Sequence, residues 1–142
     1  MLWFEGSWWC RVPGDHQREV SSKTEQMELS DMQDRAIDVR RRFREFETAT
    51  YGREWTTADL ISGLVTDVGD LAAAVQRVEG IRPARQEAPI DEVRHELGDC
   101  LWVLLVLANR FQIDLGDAFQ STMDGVESWI DSQRPGGHQS DQ

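Results

Sequence analysis

Two pairs of acidic residues stand beside the longest apolar stretches of this sequence. Asp67 and Asp70 lie three residues apart in LVTDVGDLAAAV, and Glu96 and Asp99 lie three residues apart in ELGDCLWVLLVLA. Residues at positions i and i+3 share one face of a helix. If the two segments are helices that pack antiparallel through their apolar faces, four carboxylates meet at the edge of a core.

Carboxylates this close together repel one another, and several of them would have to bind protons. A divalent cation removes the repulsion, and oxygen-only ligands suit Mg²⁺ or Mn²⁺. Helix-borne carboxylates build such sites in helical bundles. The alternative is a solvated acidic face, in a chain with 26 acidic residues. Gly69 and Gly98, each next to an acid, favour the metal site, because glycine costs a helix roughly 1 kcal/mol and a small residue permits either close helix approach or room for a ligand.

The composition limits the class of protein. A chain of 142 residues, 39% of them hydrophobic, is long enough for one domain with a core. A formal net charge of -11 opposes nonspecific binding to nucleic acid or to an anionic membrane, so we expect neither as a partner. Lys23 is the only lysine, and a phosphorylated ligand would therefore need arginine or a metal ion.

The cysteines and the apolar stretches indicate a compartment. Cys10 and Cys100 form no CxxC pair, and Cys100 lies in an apolar run, which is typical of a reduced thiol rather than a disulfide framework. No basic region followed by an apolar stretch opens the sequence, and no run is long enough to span a membrane. We therefore predict a cytoplasmic protein.

The regular part of the sequence predicts four helices and no strand, which is an all-α four-helix bundle. The second helix should end before Gly80. A loop with two prolines separates the second helix from the third. The start signals of the helices are, in chain order, Ser30 paired with Gln33, Thr56 or Thr57, Pro89, and Asp114.

Apolar residues at three- and four-residue steps predict which helix faces are buried. The middle of the third helix is apolar on every side, so we expect this helix to lie at the centre. The inward face predicted for the fourth helix consists of Phe119, Met123, Val126 and Ile130. A bundle of this size with one helix apolar all round is expected to need a partner surface.

The ends of the chain differ from its middle. Residues 28–132 form the predicted helical domain, and residues 133–142 are expected to fray. Residues 1–27 are rich in tryptophan at the start and have no regular period, which predicts an irregular arm. Two interpretations of the arm stay open: an extension without a role, or a surface in which Trp3, Trp8 and Trp9 cover a partner.

Two segments carry a resemblance to a known family. LVTDVGDLAAAVQ at 64–76 and ELGDCLWVLLVLANRFQIDL at 96–115 resemble the MazG-like all-α nucleoside triphosphate pyrophosphohydrolases, which include the dCTP and dUTP pyrophosphatases. The resemblance extends from about residue 43 to residue 119. It implies the four-helix fold that the periodicity predicts independently.

The metal-binding pattern of that family is EExxE, a loop, and then ExxD. The second half is intact here as Glu96 and Asp99, and the first half is written Thr66, Asp67 and Asp70, with aspartates in the second and third acidic positions. The resemblance therefore implies that Asp67, Asp70, Glu96 and Asp99 are the metal ligands and the catalytic residues.

The resemblance also implies an activity. We expect Mg²⁺-dependent hydrolysis of a nucleoside or deoxynucleoside triphosphate to the monophosphate and pyrophosphate, as in nucleotide pool cleaning, with Mn²⁺ as the alternative ion. The ions would bridge phosphate oxygens and lower the pKa of the attacking water. Members of the family form dimers or tetramers, so a homodimer or homotetramer is expected.

Three further residues are candidates for binding the substrate. Trp55 resembles the tryptophan with which the family contacts the base, although it could equally be a core aromatic. Arg77 lies where the dCTP branch has a second tryptophan, and it could contact phosphate or base. Arg94 lies near the loop of the proposed site and could hold pyrophosphate, or could be surface charge.

Two functions of other classes remain as alternatives. Thr66 in place of an acid, together with the shorter aspartates, would fit a degenerate family member that acts as a non-catalytic regulatory or partner-binding module. A plain helical interaction protein would use the tryptophan arm to bind a partner, and its acidic pairs would be surface charge.

Overall fold

The computed structural model describes residues 27–83 and 89–134 of the chain. These residues form no strand and four α-helices: α1 (Leu29–Tyr51), α2 (Thr57–Val78), α3 (Pro89–Arg110) and α4 (Leu115–Ser132). The predicted all-α class is confirmed. The proposed tryptophan arm before residue 27 and most of the proposed C-terminal tail lie outside the described residues.

The first helix begins earlier than its capping signal predicted. Glu28 is the N-cap, its side chain makes no capping hydrogen bond, and Met32 N–H donates to Glu28 O over 3.0 Å. Ser30 already lies in the first turn, so the prediction that Ser30 caps α1 was wrong. The helix ends at Gly52, whose φ of 71° is a left-handed conformation that glycine adopts without strain.

The second helix has a complete capping box. Thr56 Oγ1 accepts a hydrogen bond from Asp59 N over 3.2 Å, and Asp59 Oδ2 accepts one from Thr56 N over 2.8 Å. Of the two threonines that could have capped this helix, the structure uses Thr56. Gly80, with φ 74°, lies just beyond the end of the helix as predicted.

The core is built around α3, which packs against both α1 and α2. Trp102 Nε1 also donates to the carbonyl of Ala36 over 3.2 Å and so ties α3 to α1. The central position predicted for α3 is confirmed. The buried apolar cluster takes residues from all three helices: Ala36, Leu60, Val103, Leu105 and Val106.

The fourth helix begins at the predicted N-cap, Asp114, but contributes no buried residue. Phe119, Val126 and Ile130 are 65%, 44% and 45% exposed, and Met123 is half-buried. The prediction that this face points into the core is wrong for the single chain, because α3 packs against α1 and α2 rather than against α4. Among the described residues, none of the four helices combines the length and apolar character that a membrane crossing requires.

Candidate metal centre

Asp67 occupies a core position on the seam between α2 and α3. The buried residues of α2 are Leu60, Asp67 and Ala74, each seven residues from the next. This spacing returns to the same helix face after two turns. Asp67 is only 1% exposed. Its carboxylate therefore lies on the same buried helix face as the apolar residues Leu60 and Ala74, which are two turns away on either side. Burying a carboxylate is costly unless opposite charge or hydrogen bonds compensate.

Helix α3 brings two more carboxylates to Asp67. Carboxylate oxygens of Asp67, Glu96 and Asp99 all lie within 4.8 Å of one another, and we call these three residues the acidic trio. Glu96 and Asp99 are half-buried. The end of α2 pairs with the start of α3 through Arg77 and Glu92, so the two helices run antiparallel.

Asp70 lies beside the acidic trio rather than within it. Its oxygens do not belong to the group that falls within 4.8 Å. Its negative charge nevertheless is the largest electrostatic contribution that raises the pKa of Glu96. The structure therefore gathers three of the four predicted ligands and leaves the fourth close by.

Glu96 shows how crowded these acids are. Burial raises its pKa to about 7, helped by the charges of Asp70, Asp99 and Asp67 and opposed by His95. Its Oε2 atom is buried and accepts no hydrogen bond from the described residues. Buried carboxylate oxygens ordinarily meet a donor or a cation. An oxygen-only set of charged ligands fits a hard divalent ion such as Mg²⁺.

Three residues of other types are the sequence neighbours of the acidic trio: Thr66, His95 and Cys100. His95 Nε2 lies 3.3 Å from Asp99 Oδ2, with 46% of the imidazole side chain exposed. Burial raises the pKa of the Cys100 thiol, and so do the charges of neighbouring acids. Thr66, which stands in the first position of the acidic motif, is exposed and donates its hydroxyl to Ser62 O over 3.2 Å. Its side chain therefore points to the backbone of its own helix.

The two arginines predicted to bind substrate are engaged in ion pairs. Arg77 donates to Glu92 Oε2 from Nε over 2.6 Å and from Nη2 over 2.5 Å. Glu92 lies in the first turn of α3 and is the partner of Arg77. Arg94 pairs with Asp91 on the exposed side of α3. In this conformation Arg77 joins the two helices that carry the acids.

Trp55 is half-buried and packs against the core cluster. Its backbone is bonded to Arg40 and Glu47, two buried charged residues that the sequence analysis did not single out. A signal for them was present, because Ala36, Arg40, Phe43 and Glu47 follow one another at four, three and four residues, which marks one helix face.

Comparison with known proteins gives a match to a protein family. A family model described as the MazG nucleotide pyrophosphohydrolase domain matches residues 56–128, just over half of the chain. The matched segment begins one residue after Trp55 and contains the acidic trio and Asp70. No curated protein and no solved structure gives a significant match.

Proposed function

The chain belongs to the MazG nucleotide pyrophosphohydrolase family, and from this premise we propose that it hydrolyses a nucleoside or deoxynucleoside triphosphate to the monophosphate and pyrophosphate. The observation that carries the proposal is the acidic trio, with Asp67 1% exposed on the seam between two helices. Three close carboxylates destabilise the contact between two helices unless a positive charge compensates them. They are well suited to binding a cation.

We propose that Asp67, Glu96 and Asp99 hold Mg²⁺, or Mn²⁺ as the alternative ion, and that Asp70 completes the set directly or through a water molecule. A divalent cation held there would supply Lewis-acid chemistry and neutralise negative charge on phosphate oxygens. The need for such a charge is strong here, since the chain carries a formal net charge of -11 and would otherwise repel a triphosphate.

The other residues of the site would bind and orient the nucleotide. The start of α2 at Thr57 lies ten residues before Asp67, which is roughly 15 Å along the helix axis. That separation is comparable to the length of an extended nucleoside triphosphate. We therefore assign the base to Trp55, which precedes α2, and the phosphates to the end of the site where the acids lie.

The arginines differ in what a contact with phosphate would cost. Arg94 and Asp91 are both largely exposed, and an exposed ion pair contributes little to stability, so Arg94 can exchange Asp91 for a phosphate oxygen. Arg77 would have to give up a pair in which both side chains are at most 15% exposed. We therefore propose Arg94 as a phosphate contact and assign Arg77 to holding α3 against α2.

We also propose that the protein acts as a homodimer or a homotetramer. The exposed apolar residues of α4, among them Phe119 and Ile130, form a face that the single chain leaves uncovered. Contiguous exposed apolar surface is typical of an interaction site. The cytoplasmic location predicted from the sequence is part of the same proposal, since it fits a buried, free Cys100 and a nucleotide substrate.

The test is pyrophosphate release from a panel of ribonucleoside and deoxyribonucleoside triphosphates with Mg²⁺ or Mn²⁺. Glu96→Gln removes one charge of the acidic trio, and Glu127→Gln makes the same change on an exposed position of α4. We expect metal-dependent turnover in the wild type and in Glu127→Gln, and a loss of roughly a hundredfold or more in Glu96→Gln, the scale for an electrostatic group at a reacting centre. Equal activity in Glu96→Gln and Glu127→Gln would show that hydrolysis does not need the charge of Glu96.

A second candidate function is a non-catalytic regulatory or partner-binding module. The observation in its favour is Thr66, which is exposed and bonded to Ser62 at the position where the family motif begins with an acid. Under this proposal Mg²⁺ still binds to the acidic trio and raises the melting temperature, but no triphosphate in the panel releases pyrophosphate.

A further inference from the structure

Arg40 and Glu47 form a buried ion pair that is built around the backbone of Trp55. Their side chains are 5% and 1% exposed, and Arg40 Nη1 donates to Glu47 Oε1 over 2.8 Å. Glu47 Oε2 accepts a hydrogen bond from Trp55 N over 2.8 Å, and Arg40 Nη2 donates to Trp55 O over 3.1 Å. Both polar backbone groups of Trp55 are therefore bonded to this one pair.

Stability alone is a weak reason for such a pair. Replacing a buried ion pair by apolar residues of similar volume is often neutral or stabilising, because the desolvation of two charges offsets their attraction. Arg40 and Glu47 lie on the same helix, seven residues apart, so their mutual contact joins no two helices. Within the described residues, the other side-chain hydrogen bonds of Arg40 and Glu47 go to the backbone of Trp55. The pair thus fixes the position of Trp55, which lies in the connection between α1 and α2.

The next residues of the connection are fixed as well. Thr56 and Asp59 form the capping box of α2, and Arg53 Nη1 donates to Asp59 Oδ2 over 2.8 Å. The backbone of Trp55 is thus bonded to α1, and Arg53 and Thr56, which flank it, are bonded to Asp59 in the first turn of α2. Its indole packs partly on the core cluster. A partly exposed indole on an anchored backbone provides a surface on which a nucleobase can stack.

We propose that Arg40 and Glu47 are positioning residues that place Trp55 for stacking on the base of the nucleotide, and that they thereby set the preference among bases. The inference rests on the proposed function, in which Trp55 contacts the base. Neither Arg40 nor Glu47 needs to touch the nucleotide, because both act through the backbone of Trp55.

The test must remove the pair without leaving one buried charge alone, which would endanger folding. The double replacement Arg40→Met with Glu47→Leu keeps an apolar filling of similar size and removes the hydrogen bonds to Trp55. Its matched control is Arg41→Met with Asp38→Leu, which removes an exposed ion pair of α1. Thermal unfolding establishes that both variants fold. The main readout is the Mg²⁺-dependent affinity for α,β-imido nucleoside triphosphates with different bases, and KM and kcat are measured on the corresponding triphosphates.

We expect the double replacement to weaken binding of the preferred nucleotide by about tenfold, within the range for losing one base–aromatic stack, and to reduce the difference between bases. KM should rise by a similar factor, and kcat should change little. Trp55→Ala should produce a loss of the same size. Combining Trp55→Ala with the double replacement should add almost nothing, because residues that act through one another are not additive.

Other results would overturn the proposal. Losses of affinity that add when Trp55→Ala and the double replacement are combined would show that the pair serves the fold alone. A decrease in kcat that is equal for every base would show the same. Should the double replacement fail to fold, Arg40→Lys provides a second variant: it keeps the charge but loses the planar fork that reaches two acceptors. We expect Arg40→Lys to weaken binding and narrow the base preference, and wild-type behaviour would count against the proposal.

The two proposals can fail separately. A wild type that binds the imido nucleotides but releases no pyrophosphate would disprove the proposed hydrolysis, and the coupling between Arg40, Glu47 and Trp55 would still be decided by the affinities. Normal hydrolysis together with unchanged affinity in Trp55→Ala would uphold the activity and disprove the positioning role.

Discussion

Arg77 of α2 and Glu92 of α3 form an ion pair across the two helices, with Arg77 Nη2 2.5 Å from Glu92 Oε2. Glu92 lies one helical turn before Glu96, so the pair joins α2 to α3 next to the acidic trio. The side chains are 10% and 15% exposed, so solvent screens the pair only weakly. The pair holds together the ends of the helices where the loop connects them.

Glu92→Gln should therefore lower the stability of the protein. The variant leaves Arg77 without its charged partner, and the expected decrease in the free energy of unfolding is about 1.5–3 kcal/mol, the range for hydrogen bonds to charged groups. Urea unfolding measures it, with Glu127→Gln on α4 as the exposed control. A decrease no larger than that of the control would mean that the pair is dispensable for the fold and that Arg77 is available to a phosphate.

The acidity of Glu96 predicts how stability depends on pH. Its pKa is about 7 in the folded protein, compared with 4.5 for an ordinary glutamate. Between these values the folded protein holds a proton that the unfolded chain has released. The stabilisation is therefore fully present below the unfolded pKa and is lost as the pH rises through the folded pKa.

We expect the melting temperature of the metal-free protein to fall between about pH 5 and pH 8 because Glu96 becomes charged beside Asp67, Asp70 and Asp99. Scanning calorimetry in the presence of a chelator measures this fall. The side chain at position 96 cannot ionise in Glu96→Gln, so the melting temperature of this variant should fall less. Identical pH profiles for the two proteins would contradict the assignment to Glu96.

Removal of one charge from the acidic trio should have opposite effects with and without metal. Asp67→Asn relieves repulsion, so we expect a higher melting temperature without metal. In the wild type, Mg²⁺ at a hundred times its dissociation constant should add about 2.7 kcal/mol to the free energy of unfolding, since it binds the folded state alone. Asp67→Asn should lose most of this gain, whereas Asp124→Asn on the exposed face of α4 should keep it. Equal Mg²⁺ effects in both variants would exclude Asp67 as a ligand.

The helices could be predicted wherever local chemistry decides them. Thr56, Pro89 and Asp114 are start signals that act over a few residues, and the structure uses all three. Ser30 failed because the backbone of Glu28 already accepts the first helical hydrogen bond. A capping pattern does not show which of several neighbouring residues begins the helix.

The site was predictable to the extent that it depends on helix spacing. The i, i+3 pattern brought Asp67, Glu96 and Asp99 together in the prediction because each pair lies on one helix face. The pattern could not show that Asp70 lies outside the closest group, since that depends on how far α2 is rotated against α3. It also could not show that Arg40 is buried, because burial of a charge depends on its partner in space.

The cap of α2 gives a prediction with a built-in control. Thr56→Ala removes the hydroxyl that accepts from Asp59 N, and the expected decrease in the free energy of unfolding is about 1 kcal/mol. Thr57→Ala changes the neighbouring residue, which lies inside the helix and does not cap it. Chemical denaturation of both variants should therefore show a larger effect at position 56. A larger decrease for Thr57→Ala than for Thr56→Ala would mean that α2 begins one residue later in solution.

The uncovered face of α4 predicts the assembly state. Phe119 is 65% exposed, and Val126 and Ile130 follow it on the same helix face at seven and eleven residues. If a second copy of the chain covers this face, a charge placed on the face has to be desolvated on association and should prevent the association. Phe119→Glu should then behave as a monomer in sedimentation velocity, and the wild type should behave as a dimer or a tetramer. Gln120→Glu adds the same charge to the neighbouring exposed position and should leave the assembly intact. A wild type that sediments as a monomer at high concentration would contradict the proposal, and the apolar face of α4 would then have to be covered by a different protein.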